Sequence, residues 1–164
     1  MRPETRPTPF SLVPAHAGAP LADARALFLE YAASLGFSLC FQGFDRELAE
    51  LPGDYAPPRN RLWVAAVGSQ AAGCVALHAV DDDAAEMKRL YVRPAHRGLG
   101  LGRALAEAAV SAARELGYAR LLLDTVPSSM RAAVAMYQAM GFREVPPYRE
   151  NPIAGARYLE LKLR

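Results

Sequence analysis

One stretch constrains this chain more than any other: Arg97-Gly98-Leu99-Gly100-Leu101-Gly102, with a glycine at every second position. It lies between a strand-like run ending in Leu90-Tyr91-Val92 and an apolar series at helical spacing, Leu101, Leu105, Ala108, Ala109, Ala112 and Leu116. A helix start gains nothing from three glycines unless the backbone bends tightly or something approaches it closely. Strand, glycine loop and helix start in series expose unpaired helix N–H groups at the positive end of a peptide dipole, which is an anion site. Arg97 and Arg103 flank the loop and offer charge-assisted hydrogen bonds to phosphate oxygens. A loose surface turn would not let helical periodicity resume immediately after Gly100.

The rest of the chain supplies the setting. From Asp23, read as an N-cap, Ala24, Leu27, Phe28, Tyr31 and Leu35 follow helical spacing until Gly36, after a short first strand in PFSLVPA. Phe44, Leu48 and Leu51 make a second helical face that Pro52-Gly53 ends. RLWVAAV and AAGCVALHAV read as two strands joined by a tight turn, and EMKRLYV as a third. RLLLDTV is a buried-type strand, Met130 to Met140 a helix closed by Gly141, and ARYLELKL a final strand. This order predicts one mixed α/β domain over residues 1–164, in which 1–60 supply substrate-side helices and 61–164 the ligand-binding core.

Composition excludes several classes. A net charge of +2 is too small to draw in a nucleic acid or a membrane by bulk attraction. No run is long and apolar enough to span a bilayer, and MRPETRPTPFSLVPAHAG lacks a signal-peptide core, so the expected location is cytoplasmic. Cys40 and Cys74 have neither a disulfide framework nor zinc spacing and read as small hydrophobes. His78 with Asp81 to Asp83 reads as an acidic turn beside a strand histidine, so no metal is expected.

Three phosphate ligands compete for the loop. A P-loop needs Gly-Lys-Ser/Thr, and Gly102 is followed by Arg103-Ala104. A dinucleotide fingerprint needs a third glycine at 103 or 105, where Arg103 and Leu105 stand, although Asp124 mimics its ribose-binding acid. The third reading rests on two motifs. LYVRPAHRGLGLGRAL resembles the acetyl-CoA-binding motif of the GNAT superfamily of acyltransferases, and AMYQAMGF resembles that superfamily's helix ending in Tyr, three residues, Gly-Phe. The resemblance covers about residues 61–163.

It implies a largely antiparallel sheet with one splayed parallel strand pair and about four flanking helices. It implies that the N–H groups of Gly98, Leu99, Gly100, Leu101, Gly102 and Arg103, with Arg97, bind the pyrophosphate of acetyl-CoA, and that the backbones of Leu90, Tyr91 and Val92 pair with pantetheine as an added strand would. Arg93 is a further candidate to face the adenosine 3′-phosphate.

The implied activity is acetyl transfer to a primary amine by direct attack in a ternary complex. Tyr137 then protonates the leaving thiolate and Glu86 is the base; strand alternation puts Glu86 on one face with Lys88, Leu90 and Val92. Members of the superfamily carry an asparagine where this chain has Met130, so Ser128 or Ser129 is expected to take over its contact. Phe41, Phe44, Glu47, Tyr55, Tyr148 and Asn151, from two aromatic and acidic segments, are the candidate walls of the acceptor cleft. The acceptor, small molecule or peptide, stays open, as does a homodimer. A non-catalytic acyl-CoA-binding sensor on the same scaffold is the alternative.

Overall fold

The computed structural model describes residues 10–127 and 131–164, apart from the side chain of Phe41. In chain order the elements are β1 (Ser11–Pro14), α1 (Gly18–Ser34), α2 (Phe44–Glu50), β2 (Arg61–Val67), β3 (Gln70–Ala79), β4 (Ala84–Val92), α3 (Leu101–Glu115), β5 (Arg120–Thr125), α4 (Arg131–Ala139), β6 (Arg143–Val145) and β7 (Arg157–Lys162). The strands form one sheet in the order β1-β2-β3-β4-β5-β7-β6. Only β4 and β5 pair in parallel; every other neighbouring pair is antiparallel. This is the mixed fold expected from the sequence, and the antiparallel strands before the glycine loop do not match the parallel sheet of a dinucleotide-binding domain.

Helices cover both faces. On one, α3 lays Leu101, Leu105, Ala109 and Ala113 against Leu77, Ala85, Met87, Leu121 and Leu123, and Tyr137 of α4 joins the same cluster. Small residues on α3 let the helix lie close to the sheet. Leu105 is fully buried there, a side chain whose truncation to alanine costs about 2–5 kcal/mol. On the other face, Leu27 and Phe28 of α1 and Phe44 of α2 pack on Val64, Cys74, Ala76 and Tyr91.

Helix α1 begins at Gly18, not at Asp23. Pro20 lies in its first turn, where a missing N–H costs nothing, so the helix starts without the side-chain cap that made Asp23 the expected boundary.

The expected alternation along β4 fails in its middle. Cys74 of β3 opposes Tyr91 and Ala76 opposes Lys88, so Arg89 and Leu90 together face Val75 alone. Arg89 takes up the extra residue with φ 60, a left-handed conformation uncommon outside glycine. The bulge turns over every later side chain. Met87 lies in the α3-side cluster with Leu90 and Val92 packed against it, whereas Tyr91 joins the α1-side cluster. Glu86 therefore does not share a face with Leu90 and Val92.

Candidate functional site

The parallel pairing of β4 and β5 covers only Ala84–Glu86 against Arg120–Leu122. Beyond it the strands part. Met87 to Val92 and Leu123 to Val126 become opposite walls of a cleft of about 290 Å³, which α1, the segment after it and α4 close with Tyr31, Phe37, Leu39 and Tyr137. Leu90, Tyr91 and Val92 all line it. Gly73 makes room on the β3 side: a Cβ there would stand 2.7 Å from the Tyr91 carbonyl oxygen.

At one end of the cleft lies the glycine loop. Gly98 and Gly100 hold φ of 84 and 81, which explains two glycines by backbone conformation alone. Gly102 is different, since its nearest neighbour to a notional Cβ is Val92 Cγ2 at 3.8 Å. Nothing in the fold itself demands glycine at 102, which lies in the first turn of α3, where no side chain caps the N–H groups. Arg97 lines the cleft and donates from Nε to the Val92 carbonyl at 3.0 Å. Arg103 is drawn along α3 to Glu107 at 2.8 Å. Arg93 is held by Glu30 at 2.6 Å and by the Ala71 carbonyl at 2.7 Å, which argues against its reaching a phosphate.

Tyr137 is almost fully buried, packs against Phe142 and lines the cleft. Burial pushes its hydroxyl well above the usual tyrosine range, so it stays a neutral phenol.

Glu86 has no solvent exposure and is surrounded by donors. Arg149 Nη1 donates to Oε1 at 2.9 Å, the Tyr148 hydroxyl donates to Oε2, and His78 Nε2 stands 3.3 Å from Oε1. Burial alone would raise its pKa, but His78, Arg149, Lys88 and Tyr148 outweigh it and hold the carboxyl down at about 2. Arg149 also bridges to Asp124 at 3.0 Å, and Asn151 Nδ2 donates to Asp124 at 3.2 Å. The segment before β7 is thus tied across β4 and β5 by their charged side chains.

The acceptor-side candidates divide. Asn151 lines the cleft, and Tyr148 reaches the site through Glu86. Glu47 is occupied: its two oxygens receive Arg89 Nε at 2.8 Å and Nη2 at 2.9 Å. Burial opposes its charge, yet Arg89 and Lys88 keep its pKa below the ordinary carboxylate value. Phe44 and Tyr55 are buried structural residues, the first beneath the Arg89 guanidinium and the second against Phe28 and His78. The side chain of Phe41, and Ser128, Ser129 and Met130 entirely, lie outside the described residues. Asp81 accepts from the backbone of Asp83 and Ala84 and so shapes a turn.

Sequence reasoning missed Lys88, Arg89 and Arg149. The available clue was a run of three charges, Glu86, Lys88 and Arg89, within an otherwise apolar strand, which burial makes costly unless partners are supplied.

The family model described as "Acetyltransferase (GNAT) family" matches residues 27–142. An uncharacterized N-acetyltransferase of Schizosaccharomyces pombe is 39% identical over 145 residues, 87% of this chain and 88% of its own. Among solved structures, a GNAT-family acetyltransferase from Staphylococcus aureus matches with TM-score 0.76 at 17% identity, over 94% of this chain and 99% of that one. A GNAT-family acetyltransferase from Elizabethkingia anophelis, with acetyl-CoA bound, matches with TM-score 0.68 at 21% identity and the same coverage.

Proposed function

The chain belongs to the acetyltransferase (GNAT) family, and from that membership we propose that it moves the acetyl group of acetyl-CoA onto a primary amine by direct attack in a ternary complex. The observation that carries this reading is the parting of β4 from β5 beside an uncapped, glycine-opened helix start. A parted strand offers amide donors and acceptors to a ligand rich in amides, and the helix start offers N–H groups to its diphosphate.

Acetyl-CoA supplies a thioester, an acyl carbon already activated toward an amine. Leu90, Tyr91 and Val92 bind its amide-rich arm along the free edge of β4, and residues 98 to 103 with Arg97 bind the diphosphate. The bulge at Arg89 fixes where β4's backbone N–H groups point and so orients the acyl carbonyl. Tyr137, which lines the cleft, donates to the departing sulfur.

Glu86 has a different task from the one the resemblance implied. A carboxylate held at about 2 is a weak acceptor for a proton on an amine whose own pKa is near 10. Its fixed negative charge instead orients Tyr148 and Arg149 on the acceptor side, and the acceptor's proton leaves to water in the cleft.

Thermal-shift measurements with acetyl-CoA, CoA, NAD and ATP, followed by a thiol-release assay over an amine panel, test the reading. Acetyl-CoA and CoA should stabilise the protein, by about 2.7 kcal/mol at a hundred times Kd, and NAD and ATP should not. No stabilisation by either CoA species overturns the proposal. Binding without transfer to any amine replaces it with the acyl-CoA sensor.

A further inference from the structure

We propose that the acceptor is an amino acid or a close analogue, a small molecule whose carboxylate is bound by the Lys88 ammonium while its amine meets the thioester. This deepens the acetyl-transfer reading and rests on it.

The charges lining the cleft among the described residues are Lys88, Arg89, Arg97 and Arg131 against Asp124 alone. Most of them are committed or remote. Both Glu47 oxygens and the Gln42 amide oxygen take up Arg89. Asp124 is taken up by Arg149 and Asn151. Arg97 holds the Val92 carbonyl at the loop end, and Arg131 is exposed at the start of α4.

Lys88 stands apart. Its side chain is only 10% exposed, and its ammonium reaches Glu86 at 3.9 Å and Glu47 at 4.0 Å, both beyond hydrogen-bond distance. A buried ammonium with three donors and no hydrogen bond among the described residues is costly unless something else accepts from it. Burial correspondingly lowers its pKa, with the Arg89 charge acting in the same direction. A carboxylate fits this position: it accepts from the ammonium and is brought by the molecule that also brings the amine.

The two carboxylates near Lys88 each accept closer donors, Glu86 from Arg149 and Tyr148 with His78 at 3.3 Å, and Glu47 from Arg89, while their charges still favour the ammonium form of Lys88. The cleft also presents apolar Leu35, Phe37 and Leu39, on the same α1 side of the sheet as Lys88, and these seat the acceptor's side group. A polyamine or a protein lysine would bring a second cation or a neutral backbone to this ammonium and leave its donors unsatisfied.

The test compares each of a panel of α-amino acids with its primary amide, which keeps the amine and removes the negative charge. Acetyl transfer is followed by thiol release for the wild type, Lys88→Met and Lys88→Arg. The ratio of kcat/KM for acid over amide is internal to each variant, so a partly misfolded fraction cancels. The wild-type ratio should be about tenfold or more, the discrimination expected of one charge-assisted hydrogen bond. It should fall toward one in Lys88→Met and be largely kept in Lys88→Arg. Equal rates on acid and amide in the wild type, or an unchanged ratio in Lys88→Met, overturn this proposal and leave acetyl transfer standing. Absence of transfer to both members of every pair, while another primary amine is acetylated, overturns this proposal alone; absence of transfer to any amine, with acetyl-CoA bound, overturns both.

Discussion

Replacing Glu86 with glutamine separates an anchoring carboxylate from a proton acceptor. The carboxyl is held at about 2, against an ordinary value of 4.5. That gap corresponds to about 3 kcal/mol of folding stability. With a side chain only 1% exposed, solvent screening removes little of it. The folded-state pKa lies below the unfolded one, so the contribution is fully present above pH 4.5 and is lost as pH falls toward 2. Glutamine carries no such charge, and its amide nitrogen would confront the donors of Arg149 or Tyr148. The expected cost at pH 7 is about 3 kcal/mol, a fall in Tm of about 6–12 °C for a chain of this size. Urea denaturation of wild type and Glu86→Gln at pH 7, 5, 4 and 3 reads the difference directly. It should be largest at pH 7 and shrink below pH 4.5. A difference that stays constant across that window would refute the electrostatic account. In turnover, Glu86→Gln should lower kcat/KM without altering the shape of its pH profile between 6 and 9. A lost limb in that profile would return Glu86 to the role of base.

Tyr137→Phe should cut kcat by about 10²-fold or more while leaving the acetyl-CoA Kd from calorimetry nearly unchanged; unchanged turnover removes the hydroxyl from the reaction. Glu47→Ala strands the Arg89 guanidinium, whose side chain is 2% exposed, and should cost about 3–5 kcal/mol in urea denaturation; the Glu47→Ala/Arg89→Met pair should be the milder change. Gly73→Ala sets a methyl group 2.7 Å from the Tyr91 carbonyl. It should cost about 1–3 kcal/mol in stability and weaken acetyl-CoA binding, because β4 must move at the end that lines the cleft.

What the sequence made legible was local. The glycine loop stands out because Gly98 and Gly100 occupy a backbone conformation that other residues avoid, and α3 because seven of its buried residues keep helical spacing. The bulge was hidden for the opposite reason. Arg89 takes the left-handed conformation without being glycine, held by contacts with Glu47 and Gln42, which lie more than forty positions earlier. No pattern within EMKRLYV announces it. The charge network around Glu86 was equally illegible, since His78, Lys88, Tyr148 and Arg149 come from β3, β4 and the segment before β7. Sequence singled out Glu86 but could not tell how many donors would surround it. Phe44 and Tyr55, read from sequence as cleft walls, are buried in the interior of their segment.

The three-residue pairing of β4 with β5 also has a mechanical meaning. It is the narrow hinge line along which the first four strands meet the last three. Any molecule wedged into the opening would act as a rivet across that line, touching both halves at once. Amide exchange along β4 past Glu86 and along β5 past Leu122 should therefore slow together when the cleft is filled, even though the two stretches share no ladder of their own.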